Sequence, residues 1–190
     1  MAVFYDYGSL YQKCPRTGEP RTAMENAAFK AALSRMQVWY AHQLTTTVSM
    51  SVAPAGSSAT PYGERGWTTF ERRVSQLVKG ASERSWRRLA DASVVRTVGP
   101  CGGAYIEPPM HPRAFAAALA RKTFTNGRSD CELVAGLYYD TLAGSLGHLD
   151  RLRYMHCGWG DEEVARLAEV LEWAREATWL VLQSNPRIGR

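Results

Sequence analysis

Cysteine and histidine are scarce in this chain of 190 residues, with four of each, and neither type is clustered. The cysteines form no C-x-x-C pair, and no histidine stands at the spacing that a metal site requires. This pattern predicts reduced thiols in a cytosolic protein that holds no metal.

Long apolar runs and blocks of like charge are absent as well. No segment approaches the roughly 20 apolar residues that a membrane-spanning helix needs, and the N-terminus lacks the basic-then-apolar order of a signal peptide. The net charge of +5 is modest and is spread along the chain. A solvated basic face is the favoured interpretation, and binding of nucleic acid or another anionic ligand is the weaker one. We therefore expect a soluble, cytoplasmic protein without a membrane or nucleic acid as partner.

The composition is that of a folded protein. An apolar share of 45% and six tryptophans are enough for a core, so disorder is not expected. The length fits one domain, or one domain and the beginning of another. Both ends resemble cuts through larger units, since a predicted strand begins directly after Met-Ala and the chain stops within a repeated motif.

Strands and helices alternate in the first half. Residues rich in valine, threonine and aromatic side chains predict three strands, at Ala2–Tyr7, Leu44–Val52 and Ser93–Val98. A helical pattern runs from Thr22 to Tyr40, and Glu25 stands where a capping box would place it. This order predicts an open parallel sheet with crossover helices over residues 1–98.

The segment Tyr62–Glu71, YGERGWTTFE, is the most informative part of the chain. A loop rich in proline, serine and glycine precedes it, which places Glu71 in the first turns of a helix, one turn after Trp67. Ligands of α/β proteins bind at such helix starts, beyond the carboxyl ends of strands. The structural alternatives are that Glu71 pairs with Arg65 or Arg72 or caps the helix, and that Trp67 packs in the core.

The tail repeats itself at a spacing of 28 residues. Leu152 matches Leu180 and Cys157 matches Asn185, with an amphipathic helix between them at Asp161–Arg175. A short strand of the form L-x-x-L-x-L-x-x-N/C followed by a helix is the leucine-rich-repeat pattern. The alternative is one further strand–helix–strand unit. In that case the match of Cys157 with Asn185 is due to chance. The favoured prediction is one to two such repeats over residues 148–190.

Residues 99–147 are predicted to connect these two parts. A segment rich in glycine and proline between Gly99 and Pro112 marks the boundary, and two helices are predicted after it, at Phe115–Arg121 and Ser129–Leu146. Asn126-Gly127 predicts the turn between these helices and is assigned no chemistry.

Motifs at the start of the chain resemble those of heterokaryon-incompatibility (HET) domains. The segment FYDYGSLYQ is similar to the family's W-I-D-x-x-C-I-x-Q strand and loop, with Asp6 and Gln12 at the family's separation. Met36, Tyr40 and Ala41 resemble its M-x-x-I-Y helix.

The segment from Arg65 to Glu71 resembles the R-x-W-T-x-x-E motif of HET domains. Trp67 and Glu71 are also similar to the W-C-x-x-E helix of Toll/interleukin-receptor (TIR) domains, although Thr68 stands where many TIR domains have cysteine. The likeness covers about residues 2–80. The opening strand and helix of the family have no counterpart before Met1.

This resemblance implies a partial flavodoxin-like sheet in a signalling or defence protein. The glutamate of catalytic TIR domains cleaves the nicotinamide–ribose bond of NAD⁺, so the resemblance implies that Glu71 is catalytic and that NAD⁺ is a substrate rather than a cofactor. The residues expected to bind NAD⁺ are Asp6, Ser9, Arg65 and Trp67. Protein partners of the repeats and a homo-oligomer are further expectations. The alternative is a non-catalytic interaction module with leucine-rich repeats.

Overall fold

The computed structural model describes residues 9–14, 16–42, 45, 47–50, 56–77, 95–98, 107–155 and 157–189. These residues form six α-helices, two short 3₁₀ helices and four strands, so the described part of the chain has the expected mixture of helix and strand. The predicted strand Ala2–Tyr7, together with Asp6, lies outside the described residues.

The first two helices are α1 (Ala23–Leu33) and α2 (Met36–Ala41). The predicted capping box is confirmed, because the N–H of Glu25 donates to the Thr22 hydroxyl at 3.3 Å and the N–H of Thr22 donates to the Glu25 carboxylate at 2.8 Å. The predicted continuous helix to Tyr40 is wrong, since the chain turns between α1 and α2.

Strands β1 (Thr47–Met50) and β2 (Val95–Val98) pair in parallel. The register runs from Thr47 opposite Val95 to Met50 opposite Val98. The third helix, α3 (Gly66–Ser75), lies between the two strands in sequence. The parallel pairing of the second and third predicted strands is thus confirmed.

Two helices occupy the region predicted to connect the two parts, α4 (Pro112–Leu119) and α5 (Arg128–Gly147). Both predicted helices are confirmed, with bounds shifted by a few residues. Gly127 precedes α5 with a φ of 60°, a left-handed conformation that glycine adopts without steric cost.

One hydrophobic core runs through α3, α4, α5 and the tail. Phe70 of α3 is fully buried in it, and the ring of Phe115 stacks on that of Tyr138 with centroids 3.9 Å apart. Leu152 and Trp159 extend the same cluster into the tail. The core therefore crosses the boundaries predicted near residues 98 and 147, which themselves remain predictions.

The tail contains strands β3 (Arg151–Arg153) and β4 (Trp179–Val181), which pair in parallel with Leu152 opposite Leu180. The prediction that these segments are neighbouring strands at a 28-residue offset is confirmed. The helix between them is shorter than predicted, because α6 (Asp161–Ala168) gives way to a 3₁₀ turn at Leu171–Trp173.

The buried side chain of Asn185 fastens the two halves of the tail. Its Oδ1 accepts hydrogen bonds from the backbone N–H groups of Cys157 at 2.9 Å and Trp159 at 3.2 Å. Its Nδ2 donates to the carbonyl oxygens of Tyr154 at 2.6 Å and Leu182 at 2.8 Å. Asn185 therefore contacts Cys157, the residue that it matches in the repeat.

Candidate functional site

The helix start at α3 is held by a segment from the middle of the chain. The N–H of Gly66 donates to the carbonyl of Thr123 at 2.9 Å, and the N–H of Thr123 donates to the carbonyl of Glu64 at 2.8 Å. Among the described residues no side chain caps α3, and Thr123 satisfies one of the N–H groups that a helix start leaves unpaired. Gly66 is buried, and the ring of Phe124 occupies the place where a Cβ atom would stand.

A cavity of about 830 Å³ opens beside this helix start, within the size range of small-molecule and cofactor sites. Three of the predicted site residues line it, namely Arg65, Trp67 and Glu71. Gln12, the last residue of the segment FYDYGSLYQ, lines it too. Ser9 is exposed and is not among the described residues that line the cavity.

Glu71 lies in the second turn of α3 and is partly buried. Arg65 and Arg72, the arginines expected as alternative partners of Glu71, form other contacts. Arg65 donates its Nε–H to the carbonyl of Thr60 at 2.6 Å, and Arg72 pairs with Glu107 at 2.5 Å. The structure thus gives no support to an ion pair of Glu71 with either arginine.

Trp67 is held by a carboxylate from α5. Its indole N–H donates to Oδ2 of Asp130 at 3.1 Å, and its ring meets that of Phe70 edge-on with centroids 6.1 Å apart. Trp67 therefore lines the cavity and also packs against the core. A position in the core and a position at the candidate site are thus compatible for this residue.

Asp130 is a site residue that the sequence did not reveal. It is only 6% exposed, and both of its oxygens accept hydrogen bonds from the side-chain amide of Asn126, at 3.1 and 3.2 Å. Both residues line the cavity. The sequence did contain a signal for Asp130, since this carboxylate stands four residues after Asn126 of the Asn-Gly turn. That spacing places it in the first turn of the following helix, where the helix dipole stabilises negative charge.

Ionisable groups of both signs line the cavity. Besides the carboxylates of Glu71 and Asp130, it contains Lys13, Arg21 and the thiol of Cys14. Hydrogen bonds from the side chain and backbone of Thr17 lower the pKa of this thiol. The arrangement can thus bind a ligand that carries both positive and negative charge.

Within the described residues, no group of three or more histidine, cysteine, aspartate or glutamate side chains is placed to hold a metal ion. In the same residues no helix combines the length and the apolar composition needed to cross a membrane. No known family model matches the chain, and no curated protein or solved structure matches it either.

Proposed function

We propose that this chain is a TIR/HET-like signalling or defence protein of the cytoplasm that cleaves NAD⁺ at the nicotinamide–ribose bond, with Glu71 as the catalytic carboxylate. The observation that carries the proposal is that Glu71, Trp67 and Arg65 line one cavity of about 830 Å³. The sequence motif that suggested the family therefore coincides with a cavity of suitable size.

The chemistry requires few groups. The nicotinamide ring of NAD⁺ is already cationic and leaves without a general acid, while the ribose passes through an oxocarbenium-like state. A carboxylate that is fixed in a partly buried site stabilises this positive charge or holds the ribose hydroxyls. Glu71 supplies that carboxylate, and Trp67 supplies an aromatic ring against which a base or the nicotinamide ring stacks.

Nicotinamide release from NAD⁺, followed by chromatography, tests the proposal. Glu71→Gln keeps the size of the side chain and removes its charge, so release is expected to fall at least about 100-fold, as for other transition-state electrostatic groups. Glu169→Gln is the matched control, because Glu169 is exposed and does not line the cavity. Equal release by the wild type and Glu71→Gln, with both variants folded, would refute the catalytic role.

A second function is a non-catalytic interaction module, and the tail favours it. Strands β3 and β4 pair at a 28-residue offset and are fastened by Asn185, an arrangement consistent with stacked leucine-rich repeats, which offer extended surfaces to protein partners. Trp179 and Leu180 are exposed on β4. Absence of nicotinamide release from the folded wild type would favour this function over the first.

A further inference from the structure

In the described part of the chain, three cationic side chains line the cavity, Lys13, Arg21 and Arg65, together with the carboxylates of Glu71 and Asp130. Within the described residues neither Arg21 nor Arg65 has a carboxylate within ion-pair distance, whereas Arg72 and Arg73 both pair with Glu107 at 2.5 Å. The cavity arginines thus differ from Arg72 and Arg73 in having no direct ion pair with a described residue, and Arg21 interacts with the charge of Glu25 only over a longer distance.

Each of the two cavity arginines is held by a hydrogen bond from its Nε–H group to a backbone carbonyl. The Nε–H of Arg21 donates to the carbonyl of Tyr11 at 2.6 Å, and its guanidinium carbon lies 3.6 Å from the centre of the Phe29 ring. The Nε–H of Arg65 donates to the carbonyl of Thr60 at 2.6 Å. Each bond uses one of five N–H donors, and within the described residues the Nη groups of both side chains have no hydrogen-bond partner. Guanidinium groups that are fixed in this way bind phosphate oxygens in bidentate geometry.

In the described lining of the cavity, the cationic side chains of Lys13, Arg21 and Arg65 outnumber the two carboxylates. Both oxygens of Asp130 are occupied by the donors of Asn126 and Trp67. A cavity that is lined by both arginines and carboxylates is complementary to a ligand that contains both an anionic diphosphate and a cationic ring.

We propose that Arg21 and Arg65 form a subsite for the diphosphate of a dinucleotide, with Lys13 adding positive charge. The choice of a dinucleotide rests on the proposed function, while recognition of the diphosphate rests on the two arginines alone. The subsite lies in the same cavity as Glu71, so one bound dinucleotide can contact both the arginines and the carboxylate.

Calorimetric titration with ADP tests the subsite without any turnover. Arg21→Gln and Arg65→Gln are each expected to weaken ADP binding at least about tenfold, the loss of a charge-assisted hydrogen bond. Binding of adenosine, which has no phosphate, is expected to change less than about twofold. Arg113→Gln is the matched control, since Arg113 is exposed and does not line the cavity.

Two further measurements do not depend on the folding of a variant. ADP binding by the wild type should weaken as sodium chloride is added, because salt screens the arginines, and inorganic pyrophosphate should displace ADP. Unchanged ADP binding in folded Arg21→Gln and Arg65→Gln, or wild-type binding that is insensitive to salt and pyrophosphate, would overturn the proposal. Weakened ADP binding in these variants without any nicotinamide release would retain the subsite and reject the NAD⁺-cleaving function.

Discussion

Replacement of Asn185 by alanine is expected to destabilise the protein strongly, because one side chain completes the hydrogen bonding of two chain segments. Asn185 is 7% exposed, and the two N–H groups that donate to it belong to Cys157, 4% exposed, and Trp159, which is fully buried. Alanine offers no acceptor, and water does not reach these groups without local opening of the tail.

The magnitude follows from the number of unpaired groups. A buried N–H without an acceptor costs about 1–3 kcal/mol, so the two N–H groups together cost about 2–6 kcal/mol. The carbonyls of Tyr154 and Leu182 also lose a donor, which adds to this value. Since the stability of a domain is about 5–15 kcal/mol, Asn185→Ala removes a large part of it.

Urea unfolding followed by tryptophan fluorescence measures the effect, with the free energy of unfolding obtained by linear extrapolation. Gln183→Ala is the control, because Gln183 is exposed two residues away and its replacement should change stability by less than about 0.5 kcal/mol. A loss below about 1 kcal/mol for Asn185→Ala would show that the N–H groups find other partners and that the role assigned to Asn185 is wrong.

Two further predictions concern the core and the start of α3. Gly66→Ala should cost about 1–3 kcal/mol of unfolding free energy, since its Cβ would overlap the ring of Phe124, whereas Gly63→Ala meets open space; equal effects in urea unfolding would contradict this packing. Burial raises the pKa of Tyr138 from 10.0 to about 12. The unfolded chain therefore releases this proton first, and about 2–3 kcal/mol of stability, complete below about pH 10, is lost as the pH rises towards 12. Tyr138→Phe should reduce that loss between about pH 10 and pH 12, at the cost of two hydrogen bonds to Met110; an unchanged pH dependence of urea unfolding would reject the assignment.

Local patterns in the sequence predicted local structure well. The capping box of Thr22 and Glu25 depends on residues three positions apart, and the pairing of Leu152 with Leu180 depends on a repeat that is visible as a spacing. These features depend on residues that are close in sequence or repeat at a fixed spacing, so they can be found without knowledge of the packing. The helical position of Glu71 likewise followed from a loop that leads into a helix.

Contacts between distant segments could not be predicted in this way. The bond from Trp67 to Asp130 joins residues 63 positions apart and exists only because α3 packs against α5. Phe124, in the segment between α4 and α5, likewise packs against the distant residue Gly66. Periodicity within either segment says which face of a helix is apolar, but it does not say which other helix covers that face.

The position of Asp130 changes the role of the predicted connecting region. This residue lies in the first turn of α5 and accepts a hydrogen bond from Trp67, and Leu146 near the other end of the helix belongs to the core that also contains Leu152 of the tail. A helix of 20 residues is about 30 Å long, so one rigid element reaches from the candidate site to the repeated tail. The helix α5 therefore contributes both to the cavity lining and to the core that contains the tail. Residues on both sides of the predicted boundary at 98 line the cavity.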